Sequence, residues 1–159
     1  MAVDVKQADR RELHFDSLDE VLAEAQTFTE QSTSTGNWSP AQNIYHVAFA
    51  IGMLNHGVDL KIPLPMKLFG RTLKLFGAHV KPFNPGIKPP QKVADAFAPP
   101  ADVTLADAVQ KLRDEVAYAN EHGMNHPSPL FGKLTPDEAI KLNCRHAELH
   151  FGFIHPAAS

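Results

Sequence analysis

Apolar residues recur at helical spacing in four stretches of the chain. Leu18, Val21, Leu22, Ala25 and Phe28 predict a first helix over residues 18–29. A second is expected over residues 40–55, with Gly57 as its stop. Leu105, Ala108, Val109, Leu112, Val116 and Ala119 predict a third that runs up to Gly123, and a fourth is expected over residues 136–154, before Pro156. Each stretch opens with a hydroxyl. Ser17, Ser39, Thr104 and Thr135 stand three residues before Glu20, Gln42, Asp107 and Glu138, the spacing at which a hydroxyl caps a free amide and a longer side chain reaches back. The Thr104 version is the weakest, because the Asp107 side chain is short. Pro40 and Pro136 fall at the first helical position, where a missing N–H costs nothing. No stretch alternates with period two between hairpin turns, so no sheet is expected. The chain therefore reads as all-α, a single domain over residues 1–159 built as a four-helix bundle.

Between the second and third helices lies an insertion, about residues 58–103, of different character. Residues 61–92 hold seven Lys or Arg and no acid, and six of the 13 prolines. The rest of the chain has 8 basic against 18 acidic residues, a balance of −10. Lys67-Leu-Phe-Gly70 recurs as Lys74-Leu-Phe-Gly77, two helical turns later, so residues 66–78 are expected to form a short basic amphipathic helix between proline-rich arms. The plainest role for it is a helix packed across the bundle with its lysines in water. A membrane-surface or anion-binding face and a lid over a site are the alternatives.

Composition narrows the class. At 159 residues, with 43% hydrophobic and 21% charged residues, the chain can bury a full core. A net charge of −3 argues against a nucleic-acid partner. No segment supplies the ~20 apolar residues of a membrane span. A single cysteine fits a reducing compartment. No apolar stretch marks a secretory signal at the N-terminus, and the expected location is the cytoplasm.

The nine histidines carry the candidate chemistry. His146 and His150 lie one turn apart on one face of the fourth helix, with Ala139, Leu142, Asn143, Leu149 and Phe153 around them. That face reads as the core-facing stripe. Two imidazoles at this spacing can chelate one cation. His46, on an Ala50–Met53–Gly57 stripe of the second helix, supplies a third ring that bundle packing can bring beside the pair. Three imidazoles without a carboxylate suit Zn²⁺ first, with Ni²⁺ or Fe²⁺ as alternatives, and leave an open position for water or a thiol. Glu148 points the opposite way, so His146-Ala-Glu-Leu-His150 is not the metalloprotease pattern. Asn143 is the candidate for orienting a ligand or substrate. Cys144 reads as a filler on the helix flank, Trp38 as an anchoring aromatic at the start of the second helix, and the remaining histidines as surface or capping residues.

Asn37-Trp38-Ser39-Pro40 leading to His46, with Arg145-His146-Ala-Glu-Leu-His150 about 100 residues later, resembles the DinB-like superfamily of metal-binding four-helix bundles. Arg10-Arg11-Glu12-Leu13-His14-Phe15, the basic insertion and His126-Pro-Ser-Pro-Leu-Phe-Gly-Lys-Leu-Thr-Pro136 are similar to one uncharacterised branch of it. The resemblance implies an up-down-down-up bundle, commonly a homodimer, with a divalent metal on His46, His146 and His150. Characterised members of the superfamily include bacillithiol S-transferases and mycothiol-dependent maleylpyruvate isomerases, from which the long basic insertion departs. The expected function is metal-dependent transfer or hydrolysis on a small-molecule substrate, with a low-molecular-weight thiol or water as nucleophile. A non-catalytic metal-binding or ligand-binding protein is the alternative. The basic insertion, if it folds back over the metal, would favour an anionic substrate.

Overall fold

A computed structural model describes residues 2–87 and 89–157. It contains α1 (Leu18–Ala25), β1 (Thr33–Ser34), α2 (Pro40–His56), α3 (Leu64–Leu75), a 3₁₀ turn (Ala78–Val80), α4 (Gln91–Phe97), α5 (Leu105–His122), α6 (Pro136–Phe151) and β2 (Ile154–His155). The architecture is mostly helical. The four capped helices of the sequence are α1, α2, α5 and α6, and α3 and α4 come from the insertion.

All four expected caps form. Ser39 accepts from the Gln42 amide while Gln42 Oε1 accepts from the Ser39 amide, and Thr135 and Glu138 close the same reciprocal pair. Ser17 and Thr104 accept from the amides of Glu20 and Asp107. The Glu20 carboxylate instead accepts from Asp16, one residue farther out, and Asp107 reaches only the Thr104 hydroxyl. Gly57 ends α2 with φ of 76°, a conformation that suits glycine.

Two ends differ from the sequence expectation. The first helix stops at Ala25, short of Thr29, because the Thr27 hydroxyl takes the Glu24 carbonyl and Phe28 turns inward against Phe151 at 5.9 Å. The fourth stops at Phe151. Ile154 and His155 then pair antiparallel with Ser34 and Thr33, a two-residue ribbon where no sheet was expected. Strands this short carry no readable alternation.

Val21, Ile44, Val47, Ile51, Leu112, Val116 and Phe151 fill the centre, drawn from α1, α2, α5 and α6. α2 packs on α5 and α6, and α1 touches both of them as well. α6 is enclosed on nearly every side, and its faces divide the work. Cys144, Ala147 and Phe151 form its core stripe. Arg145 and Glu148, both buried, hold the N-terminal segment: Arg145 Nη2 donates to the Phe15 carbonyl at 2.5 Å and Glu148 Oε1 accepts from the Phe15 amide at 2.7 Å. The face bearing His146 and His150, expected to be the core stripe, looks instead into a cavity.

The insertion roofs that cavity. α3 runs two residues ahead of the expected start and buries only Gly70 of its own residues. A Cβ at Gly70 would lie 2.5 Å from the Leu130 carbonyl oxygen, so the helix approaches the 128–131 loop closer than any side chain would allow. His79, expected as a surface or capping residue, is buried in the 3₁₀ turn. Its Nε2 lies 3.0 Å from Glu138 Oε1, which ties the insertion to the first turn of α6. Lys74 reaches the Lys133 carbonyl and lies 3.6 Å from Glu138. Leu68, Phe69, Leu75 and Phe76 remain on the outer side of this segment, exposed.

Candidate metal centre

His46 stands in the middle of α2, and His146 and His150 one turn apart near the end of α6. The structure brings all three together. Their ring centroids form a nearly equilateral triangle, 5.0 Å from His46 to His146, 4.6 Å from His46 to His150 and 4.7 Å from His146 to His150. One nitrogen from each ring lies within 4.8 Å of the other two.

Hydrogen bonds decide which nitrogen two of these rings can offer. His46 Nδ1 lies 2.9 Å from the carbonyl oxygen of Phe97. A carbonyl only accepts, so Nδ1 carries the proton and Nε2 keeps its lone pair. His150 Nδ1 lies 3.2 Å from Asn43 Oδ1. The Asn43 amide nitrogen donates to the Trp38 and Ser39 carbonyls at 3.2 and 3.0 Å, which fixes its oxygen toward His150. His150 therefore also carries its proton on Nδ1 and frees Nε2. A hydrogen bond from the far ring nitrogen to a carbonyl oxygen is the usual way a metal-binding imidazole is oriented.

The rings are neutral near pH 7. Burial pushes His146 down to about 3, with the neighbouring His46 adding to the effect. Burial, followed by the charges of His146, His46 and Arg10, holds His150 well below its ordinary value. Burial also lowers His46, against the Phe97 hydrogen bond, which acts in the opposite sense. Neutral imidazole is the form that donates a lone pair to a cation, so the donor set fits a divalent metal with affinity for nitrogen.

Trp38 completes the wall of the site. Its ring stacks over His150 at 5.5 Å and 16° and is tilted against His46 at 4.8 Å. The sequence expectation gave it only an anchoring role. Asn43 was likewise not singled out, although it lies three residues before His46 and so within one turn of it. The expected partner, Asn143, is buried at the cavity wall, but its amide donates to the Ala139 carbonyl at 2.9 Å and contacts Met124 sulfur at 3.6 Å.

The triad lines a cavity of about 610 Å³ between α2 and α6. Ala50 and Met53, which read as core in the sequence, line it together with Leu142 and Leu149. The insertion closes the other side with Met66, Phe83 and Val93, among others. Phe83 and Phe97 present their rings at 6.5 Å from His146 and 6.4 Å from His46. The insertion thus folds back over the histidines. No Asp, Glu, Lys or Arg lines the cavity among the described residues, so the anion-binding alternative draws no charge from them; Lys88 lies outside the described residues.

The other histidines serve elsewhere. His56 lies 2.9 Å from Glu115, and His14 contacts Asp16 and Arg145 on the opposite side of α6. Cys144, in the core, has its thiol pushed up to about 12, mainly by burial.

No curated protein and no solved structure matches the chain. One family model does, over residues 7–157, nearly its whole length. The chain therefore belongs to the family described as "Protein of unknown function (DUF1569)".

Proposed function

We propose that the protein is a metal-dependent enzyme acting on a small molecule, by transfer or hydrolysis, with its metal held by His46, His146 and His150. The observation that carries this reading is the pinning of His46 and His150 through Nδ1, which leaves neutral Nε2 lone pairs beside His146 in the wall of a cavity. Three imidazoles suit Zn²⁺ first, with Ni²⁺ or Fe²⁺ as alternatives. When bound, such an ion lowers the pKa of a water or thiol at its open position and so supplies a nucleophile near neutral pH. The chain's own contribution is orientation and exclusion of water. Phe97 and Asn43 fix two rings, Trp38 covers them, and the insertion roofs the cavity. A thiol cosubstrate is the part of this reading that rests on the superfamily resemblance.

No described residue of the wall is a carboxylate or lysine that could exchange a proton with a substrate. That observation favours a second reading, a non-catalytic metal-binding or ligand-binding protein on the same scaffold. We read the scaffold itself as a DinB-like four-helix bundle of α1, α2, α5 and α6. The packing of α1 and α2 on both α5 and α6 supports this, as does the division of the triad between α2 and α6. A cytoplasmic homodimer accompanies the reading, and light scattering on the purified protein tests the dimer.

Elemental analysis after metal loading and desalting tests the centre. About one divalent ion per chain is expected in the wild type, and far less in His146→Ala with most of its helix content kept. Full occupancy in a His46/His146/His150 triple-Ala variant would overturn the assignment. Turnover of a substrate that is lost on chelation and restored by metal separates the enzyme from the binder.

A further inference from the structure

We infer that the cavity takes a molecule with an uncharged, largely apolar body that presents an electron-pair donor head group to the histidines. This rests on the metal reading for the role of that donor, but not for the nature of the molecule's body. The size is right for a ligand of drug-like dimensions, since such sites span roughly 300–1,000 Å³ and this one, partly open to solvent, measures about 610 Å³.

The wall sets the chemistry. Met53, Leu54, Met66, Phe83, Val93 and Leu130 surround the space beyond the histidines, and among the described residues no charged side chain joins them. Several polar groups that do line it are already engaged within the protein. Asn37 exchanges two hydrogen bonds with the Val3 backbone, at 2.7 and 3.2 Å. Asn43 is held between two helix-start carbonyls and His150. The Asn143 amide donates to Ala139, and the Ser128 hydroxyl accepts from the Phe131 amide. What faces the space is chiefly hydrocarbon, with the histidine lone pairs and the Asn84 side chain among its polar groups.

A charged body would be desolvated here without a partner, which is strongly unfavourable. The described basic side chains of the insertion do not alter this, since none of them lines the cavity. Lys61, Arg71, Lys81 and Lys92 are exposed on its outside, and Lys74 is directed to Lys133 and Glu138. These five side chains therefore do not line the cavity, and the described inner surface of the roof is apolar apart from Asn84; Lys88 lies outside the described residues. A small thiol or other cosubstrate bearing free carboxylates would fit this space poorly, whereas an alkyl or aryl body would fill it.

Two binding experiments test the inference, one without metal. In metal-free protein, N-phenyl-1-naphthylamine should bind with enhanced fluorescence. 1-Octanol should displace it at least tenfold better than octanoate at pH 8. Phe83→Glu, with helix content verified by circular dichroism, should weaken the dye at least tenfold. In metal-loaded protein, calorimetry with acetohydroxamate through octanohydroxamate should show affinity rising about three- to fourfold per methylene until the cavity is full. The mono-hydroxamate of suberic acid, which adds a distal carboxylate, should bind at least tenfold more weakly than octanohydroxamate. No dye binding, equal displacement by octanoate, or a flat hydroxamate series would each overturn the inference. Dye and octanol binding in a protein that takes up no metal would uphold the apolar site and sink the metal reading instead.

Discussion

Asn43 Oδ1 lies 3.2 Å from His150 Nδ1, across the gap between α2 and α6, and it is held there by two hydrogen bonds from its own amide to the start of α2. The cap that begins α2 therefore also orients a histidine of α6. Ser39, Asn43 and His46 make the first turns of that helix part of the site.

This relationship predicts that Asn43→Ala weakens metal binding about 10- to 100-fold without removing a ligand, the usual cost of losing such an orienting partner. The ring of His150 would be freer to rotate and less often present Nε2. Asn43→Asp keeps an acceptor for His150 but loses both donations to Trp38 and Ser39, so it should recover only part of the affinity lost in Asn43→Ala. Competition against a chromophoric chelator measures both. Equal affinity in Asn43→Ala and wild type would show that packing against Trp38 alone orients the ring.

Acid should destabilise the metal-free protein, and the sign follows from the histidines. His146 is pushed down to about 3, and His46 and His150 also lie below their ordinary value of 6.5. Between those folded values and 6.5 the unfolded chain binds more protons than the folded one. The contribution of these rings is therefore complete above about pH 6.5, and it is lost as pH falls toward about 3. Thermal midpoints recorded in chelator from pH 7.5 to 4.5 should fall more steeply for the wild type than for a His46/His146/His150 triple-Gln variant. Parallel slopes would place the acid-sensitive groups elsewhere.

The parts of this fold that the sequence makes legible are those decided within a few residues. A hydroxyl three residues ahead of Gln42 or Glu138 forms its cap whatever the rest of the chain does, and the spacing of His146 and His150 places them on one face of any helix. The choice of which face turns to the core is not local. On α6 the His146 face and the Cys144–Ala147–Phe151 face are both apolar enough to be buried, and only the presence of the insertion makes one of them a cavity wall. His79 was unreadable for the same reason, because its partner Glu138 is 59 residues away. α4 is seven residues set between prolines, too short to show a period. Charge composition gives the sign of the insertion but not which side of it faces the site.

Cys144 should be chemically silent in the folded protein. Its thiol is buried in the core and pushed up to about 12, with burial the largest cause and Arg145 acting in the opposite sense. The thiolate is the reactive form, and almost none exists at pH 8. Native protein should release no colour from an aromatic disulfide reagent over minutes at pH 8. One equivalent per chain should appear in denaturant. Fast reaction in the native state would mean that α6 opens locally.

Gly70→Ala tests how the roof is seated. The added methyl would meet the Leu130 carbonyl oxygen at 2.5 Å and Leu130 side-chain carbons at 2.6 and 2.7 Å, and a backbone oxygen cannot swing aside as a side-chain end can. Alanine is otherwise the better helix former by about 1 kcal/mol, so a simple propensity argument predicts stabilisation. Overpacking of this kind costs about 1–3 kcal/mol, enough to offset the propensity gain and leave either little change or net loss. The sharper expectation is local: α3 must move away from the 128–131 loop, which opens the cavity it roofs. Protease cleavage within residues 61–92 should become faster in Gly70→Ala, while the helices that carry His46, His146 and His150 keep their protection from hydrogen exchange. Gly70→Ala with unchanged cleavage and a higher thermal midpoint would show that the loop yields without disturbing the roof, and that the close approach of α3 to Leu130 does not hold the cavity shut.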